Sequence, residues 1–202
     1  MAYVNKGSLA TTILVSRDPD RSGNYICDGT ADDVEINAAL TTASISGGTV
    51  ILLEGTYTLA DSIVFPGNNL VLKGQGRATF LDGDGLDTTE HAISLTGRTN
   101  CTIRDLAVQT ADAGGNTIHC IFLDDGCNYA HIENVTIVDS DTDGIHIEGT
   151  NTTDITIENC SIEGADDYGI YVDMDALNTL LRLRIVNNTI QSAGGDGIAT
   201  GT

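Results

Sequence analysis

The second half of the sequence repeats one short apolar motif at intervals of 25 to 29 residues. The motif begins with Ile, carries Asn or Asp at its third position and ends on an apolar residue. It occurs as IRDLAV (103–108), IENVTI (132–137), IENCSI (157–162) and IVNNTI (185–190). A strand-rich repeat of this length is typical of a solenoid, in which each repeat forms one coil and stacks on the next.

A second set of apolar segments keeps the same spacing. Each has Ile as its second residue: AISLT (92–96), CIFLD (120–124), GIHIE (144–148), GIYVD (169–173) and GIATG (197–201). These leading Ile residues are 28, 24, 25 and 28 positions apart. Two sets with one variable period predict a parallel β-helix whose coils stack about 4.8 Å apart, so that equivalent residues form columns.

The composition suits short strands packed around an aliphatic core. Aromatic residues make up 4% of the chain, Trp is absent, and there are 23 Gly residues but only 2 Pro. The five cysteines include no Cys-x-x-Cys pair, which argues against a disulfide framework or a zinc site. We expect them in the core, with a Cys120–Cys127 disulfide as the alternative. They are Cys27, Cys101, Cys120, Cys127 and Cys160.

The charge excludes two classes of partner. The formal net charge is −20, from 29 acidic and 9 basic residues, whereas nucleic acids and anionic membranes both attract basic surfaces.

Residues 1–10 lack the apolar core of a signal peptide, and no segment is long enough to span a bilayer. We therefore expect a protein of a virion or an extracellular surface that is released by lysis, or one whose signal has been removed.

The segment 30–40 (TADDVEINAAL) predicts an amphipathic helix that covers the open end of the first coil. Thr30 is the expected N-cap, and Asp33 is expected to complete a capping box. The apolar stripe of this helix is Ile36, Ala39, Leu40 and Ala43. The chain then divides into a lead strand with its capping helix (1–48) and the coils of one continuous domain (49–202).

Three segments of the first half carry a resemblance to a known family. In order, DGTADDVEINAAL (28–40), GGTVILLEGTYTL (47–59) and NNLVLKGQG (68–76) resemble the opening of the pectate-lyase superfamily. The resemblance implies an all-β fold, a right-handed parallel β-helix with an N-terminal capping α-helix. The superfamily includes polysaccharide lyases, glycoside hydrolases and phage tailspikes or appendages. The lead-in is most similar to phage-encoded and environmental members.

The first strand of each coil supplies the candidate site. If the leading Ile and the residue two places later face inward, the residues between and after them face outward. In the middle three coils this gives a column of rings beside a column of acids: Phe122, His146 and Tyr171, and Asp124, Glu148 and Asp173. In the resembled family this face often holds a saccharide groove, where rings stack on sugars and carboxylates bind sugar hydroxyls or Ca²⁺.

The acid column also permits catalysis. Two carboxylates from neighbouring coils, about 5 Å apart, have the separation found in retaining glycosidases, and a pair two coils apart suits an inverting enzyme. Asp124, Glu148 and Asp173 are therefore candidate catalytic residues. The competing interpretation is a solvated acidic face on an acidic protein. Neither needs a cofactor, although Ca²⁺ suits the same acids.

The segment DTDGIH (141–146) resembles part of the polygalacturonase motif Asn-Thr-Asp-Gly-Ile/Val-Asp. It departs at both ends, with Asp141 and His146, and the family's other motifs are not found. We interpret its Asp-Gly-Ile as a coil turn, because GDGIAT (195–200) repeats it. No metal site is predicted, since the remaining histidines each stand alone: His91, His119 and His131.

In ITIENCSIEG (155–164) the apolar alternation slips by one residue at Asn159. We interpret Asn159 as a corner between two strands, so that Ile157 and Cys160 can both face inward. Asn tolerates the left-handed backbone of such a corner. The equivalent residues are expected to stack inside the coils as a hydrogen-bonded ladder: Asp105, Asn134, Asn159 and Asn187.

Three hypotheses for the function follow. The first is a structural protein of a virion or surface that self-associates, as a trimer or end to end, and recognises glycans through the ring and acid columns. Self-association is expected because GDGIATGT (195–202) begins a coil without a capping helix. The alternative is that a loop such as DALNTLL (175–181) folds over this coil. The second is a polysaccharide-degrading hydrolase or lyase. The third is a piece of a longer β-helix whose active site lies in other coils.

Overall fold

The computed structural model describes residues 11–17, 23–87, 90–110, 117–148, 151–173 and 181–201. Over these residues it contains one helix, α1 (Asp33–Ser44). The strands are β1 (Thr11–Ser16), β2 (Tyr25–Ile26), β3 (Gly48–Leu52), β4 (Gly55–Thr58), β5 (Ile63–Val64), β6 (Leu70–Lys73), β7 (Thr79–Asp82), β8 (Ile93–Thr96), β9 (Thr102–Thr110), β10 (Ile121–Asp124), β11 (His131–Ser140), β12 (Ile145–Ile147), β13 (Thr153–Glu158), β14 (Ser161–Glu163), β15 (Ile170–Asp173), β16 (Leu181–Val186), β17 (Thr189–Gln191) and β18 (Ile198–Gly201).

The strands pair in parallel, each with its equivalent one coil away. One sheet runs β16-β13-β11-β9-β6-β3-β1-β2, with β4, β7, β14 and β17 joined to it, and the other runs β18-β15-β12-β10-β8-β5. Because neighbours in a sheet are separated in sequence by a whole repeat, the chain winds as a solenoid. The predicted parallel β-helix is confirmed. Among the described residues, no helix is long and apolar enough to cross a bilayer.

The two apolar sets stack in columns that fill the interior. Ile121 pairs in register with Ile93 below and Ile145 above, and Ile145 pairs with Ile170. All four side chains are fully buried. The five cysteines are also buried and are free thiols, as predicted from their number and spacing, so Cys120 and Cys127 form no disulfide.

Helix α1 covers the first coils, but its start differs from the prediction. Its stripe of Ile36, Ala39, Leu40 and Ala43 is fully buried, as expected. The predicted N-cap at Thr30 and the capping box at Asp33 are wrong, because the helix begins at Asp33 and the cap residue is Asp32, whose side chain makes no capping bond.

The two acids at the start of α1 fasten the helix to the neighbouring chain instead. The Asp32 carboxylate accepts hydrogen bonds from the backbone N–H groups of Gly29 (2.7 Å) and Thr58 (2.9 Å). Asp33 accepts one from the N–H of Ala60, at 2.8 Å. Strand β1 pairs with β3, so the lead strand extends the long sheet, and the predicted boundary at residue 48 falls on the first residue of β3.

The corner residues have the expected backbone but not the expected burial. Asp105, Asn134, Asn159 and Asn187 have φ of 55°, 52°, 57° and 56°. The three Asn residues are exposed, so the prediction of a ladder inside the coils is wrong. Ile157 and Cys160, on either side of Asn159, both face inward, so the Asn159 side chain between them points outward. Asn134 Nδ2 does donate to Asp105 Oδ1, at 2.7 Å, on the surface.

The bridging amide belongs to the next residue in the sequence, Asn188. Its Oδ1 accepts from the backbone N–H of Cys160 at 2.8 Å, and its Nδ2 donates to the Ile157 carbonyl at 2.9 Å. One side chain therefore satisfies two backbone groups of the coil below, where the strand turns the corner.

Candidate functional site

Six rings form a continuous stripe along the sheet that contains β10, β12 and β15. Neighbouring ring centroids in the stripe lie between 4.2 and 5.7 Å apart. We call this set the ring stripe; its members are His91, His119, Phe122, His146, Tyr168 and Tyr171.

The ring stripe combines two columns of the solenoid. The predicted column pairs Phe122 with His146 and His146 with Tyr171, in register, so its stacking is as expected. Their ring centroids are 5.4 and 5.0 Å apart. His146 lies in this outward column but is not exposed to solvent. Its side chain is 11% exposed, because neighbouring rings and a carboxylate enclose it.

Sequence reasoning missed the second column, which lies two residues before each leading Ile. It contains His91, His119, Asp143 and Tyr168, at the same intervals of 28, 24 and 25 residues. The backbone confirms the alignment, since Ala92 N–H donates to the His119 carbonyl and Cys120 N–H to the Asp143 carbonyl. Aligning the histidines by the repeat, rather than judging each alone, would have found it.

Asp143 is the centre of this arrangement. It is 3% exposed. Its Oδ2 lies 2.8 Å from His146 Nδ1 and 3.3 Å from His119 Nδ1, and its Oδ1 accepts from Tyr168 N–H at 3.0 Å. The interpretation of Asp-Gly-Ile as a turn alone is therefore wrong for this coil, and so is that of His119 as a histidine without partners.

Backbone donors fix the tautomers of two rings. His119 N–H donates to His91 Nδ1 at 3.2 Å, and Asp143 N–H donates to His119 Nδ1 at 3.3 Å. Each Nδ1 is therefore an acceptor, and the ring proton sits on Nε2. Burial, with the nearby His146, lowers the pKa of His91 to about 4. Burial lowers the pKa of His119 to about 2, aided by His146 and His91.

The predicted acids stand beside the ring stripe, each partly exposed: Asp124, Glu148 and Asp173. Burial raises the pKa of Asp124. Burial also raises the pKa of Glu148, and the charges of Asp124 and Asp173 add to the shift. Glu148 Oε2 lies 3.8 Å from His146 Nε2. The structure thus gathers the acids into one electrostatically coupled group next to the rings.

This face has two kinds of chemistry available. Aromatic faces can stack on the C–H faces of sugars, and flanking carboxylates can accept hydrogen bonds from hydroxyls. A carboxyl group with a raised pKa beside a second carboxylate is also the pairing that glycosidases use.

The comparisons with known proteins point to one family. The family described as "Right handed beta helix region" matches residues 91–201. No curated protein sequence matches the chain. Among solved structures, the catalytic domain of a GH87 α-1,3-glucanase in complex with nigerose is similar, with a TM-score of 0.67 and 16% identity. That match covers 92% of this chain and 33% of the other.

Two further structures are similar. Geobacillus virus E2 ORF18 has a TM-score of 0.58 and 16% identity over 90% of this chain and 42% of its own. The Azotobacter vinelandii mannuronan C-5 epimerase AlgE4 A-module has a TM-score of 0.63 and 19% identity over 85% and 56%. The chain thus spans between a third and about half of these proteins, and identities this low show a shared fold.

Proposed function

This chain belongs to the right-handed β-helix family, and we propose that it binds an extended glycan along the ring stripe, as a component of a virion or an extracellular surface. The observation that carries the proposal is the ring stripe itself, bordered by Asp124, Glu148 and Asp173. Four stacked coils contribute rings, so the stripe is about 14 Å long. That length suits an oligosaccharide rather than a single sugar.

The similar structures support both parts of the proposal. One of them is a glucanase in complex with nigerose, another is a mannuronan epimerase, and the third is a viral protein. The gene neighbourhood tests whether the protein belongs to a virion. Capsid and tail genes are expected beside its gene, whereas sugar-uptake genes would contradict this part of the proposal.

Self-association is part of the proposal. Apolar side chains of strands β16, β17 and β18 remain accessible to solvent. Ile198 is 49% exposed, and Leu183, Ile185 and Ile190 are only partly buried. A second copy that stacks on these strands would cover this apolar surface, end to end or in a trimer. Light scattering after size-exclusion chromatography checks it: a discrete oligomer is expected, and a monomer at micromolar concentration would contradict it.

Equilibrium binding to a panel of neutral and uronic-acid oligosaccharides tests the glycan site. For the oligosaccharide that binds, we expect Phe122→Ala and Tyr171→Ala each to weaken binding about tenfold, because each removes one stacking surface. Tyr129→Ala is the matched control, since Tyr129 is 57% exposed and outside the ring stripe. The proposal would be contradicted if Tyr129→Ala abolished binding while Phe122→Ala and Tyr171→Ala left it unchanged.

The raised pKa values of Asp124 and Glu148 favour a second candidate, a polysaccharide-degrading enzyme. New reducing ends, or absorbance of unsaturated products, would reveal it in the same panel. Activity that disappears in Glu148→Gln or Asp173→Asn would establish this candidate. Binding without product would support glycan recognition alone.

A further inference from the structure

We propose that His119, Asp143 and His146 form a binding site for a divalent transition-metal ion such as Zn²⁺. One ligand atom from each of the three residues lies within 4.8 Å of the others. All three residues are buried. The site comes from two adjacent coils, with His119 before β10 and Asp143 and His146 around the start of β12.

The geometry converges on one carboxylate oxygen. His119 Nδ1 is 3.3 Å from Asp143 Oδ2, which is close to the edge of a tetrahedron whose metal–ligand bonds are about 2.0–2.1 Å long. His146 Nδ1 is 2.8 Å from the same oxygen, the length of a hydrogen bond through one proton. A metal ion that replaces this proton would widen the second distance by a few tenths of an ångström.

The donor set decides the class of ion. Two imidazole nitrogens and one carboxylate oxygen suit zinc, nickel or copper, whereas calcium and magnesium prefer oxygen ligands throughout. Asp143 Oδ2 is the ligand oxygen, because it lies near both imidazole nitrogens, whereas Oδ1 accepts from Tyr168 N–H.

His146 Nε2 supplies an independent observation. It is buried and has no hydrogen-bond partner among the residues that the structure describes, although Glu148 Oε2 lies 3.8 Å away. When a metal takes the Nδ1 lone pair, the ring proton moves to Nε2, with no net proton released. Nε2–H can then donate to Glu148, which gives the carboxylate–histidine–metal arrangement common around protein-bound zinc. Metal binding thus gives His146 Nε2 a partner, and at His119 Nδ1 the metal replaces the long hydrogen bond from Asp143 N–H (3.3 Å).

Isothermal titration of the EDTA-treated protein with Zn²⁺ tests the proposal, with Ca²⁺ and Mg²⁺ as comparison ions. One Zn²⁺ per chain is expected. The melting temperature is expected to rise by about 5 °C or more at roughly a hundredfold excess of free Zn²⁺ over the dissociation constant. Substitution by Co²⁺ adds a second readout, because its visible absorption reports the coordination number and does not depend on activity.

Two variants and one control separate the site from the fold. His146→Gln is expected to abolish one-to-one binding. Glu148→Gln should weaken it about 10- to 100-fold and leave the fold intact, because the Glu148 side chain is 46% exposed. His131→Gln is the matched control, since His131 lies in the other sheet, bonded to Glu158.

The outcomes are distinct. One-to-one binding that responds to His146 and Glu148, and not to His131, supports the site. Absence of saturable Zn²⁺ binding by a folded protein would overturn it, as would binding lost only in His131→Gln. If His146→Gln fails to fold, the Glu148→Gln affinity and the Co²⁺ spectrum of the unaltered protein still decide.

Discussion

At the scale of single residues, the corners of the coils show how a backbone requirement selects a residue type. Asp105, Asn134, Asn159 and Asn187 all adopt positive φ, which costs Asn and Asp less than other residues with a Cβ. At the Asn187 corner, the amide that binds the backbone of the coil below is in the next residue, Asn188. There the corner and this bridge are separate roles of adjacent residues.

Asn188→Ala is expected to lower the free energy of unfolding by about 1–3 kcal/mol, because it leaves Cys160 N–H and the Ile157 carbonyl without their partner. Urea denaturation followed by circular dichroism measures the change. Asn159→Gly serves as the control, since glycine keeps the left-handed corner, and it should change stability much less. Equal losses in the two variants would contradict the separation of roles.

At the scale of elements, α1 is attached by charge as well as by its apolar stripe. Asp32 is fully buried, and its carboxylate holds Gly29 and Thr58 at the N-terminal end of the helix. Helix propensity and capping rules treat a helix in isolation, so they place the start at the best local cap, Thr30. The position of the start is set instead by tertiary hydrogen bonds, from Thr58 N–H to Asp32 and from Ala60 N–H to Asp33, each more than twenty positions away.

Asp32→Ala is expected to destabilise the protein by about 2–4 kcal/mol, since it removes two hydrogen bonds to a buried carboxylate. Asp28→Ala, which alters an exposed acid four residues earlier, should cost about 1 kcal/mol or less. Thermal unfolding of both variants makes the comparison. A melting temperature for Asp32→Ala at or above that of Asp28→Ala would show that the attachment is unimportant.

At the scale of the whole molecule, stacking decides what each residue faces. The period of the leading Ile residues was enough to predict the fold class, the register and the position of Phe122 above Ser94. It could not show that His146 turns toward Asp143, because that depends on side-chain packing within the column. The corner amides lie outside for a different reason, because the left-handed bend that turns both apolar neighbours inward turns the corner side chain outward.

The buried thiols provide a test of the solenoid interior. Burial raises the pKa of Cys27 and of Cys120 to about 12, and that of Cys160 to about 11. Thiolates are therefore scarce at pH 8, and the thiols are shielded from solvent. The folded protein is expected to react negligibly with Ellman's reagent, and all five thiols should react in guanidinium chloride. Rapid reaction of the folded protein would contradict the packing.

The most direct measurement is a titration of the protein with the binding oligosaccharide, followed by NMR of the four histidine rings. If the glycan lies along the ring stripe, the resonances of His91, His119 and His146 should shift with a common saturation curve. His131, which lies in the other sheet, should not shift. Saturable binding that shifts His131 and leaves the other three unchanged would place the glycan elsewhere and contradict the proposed site.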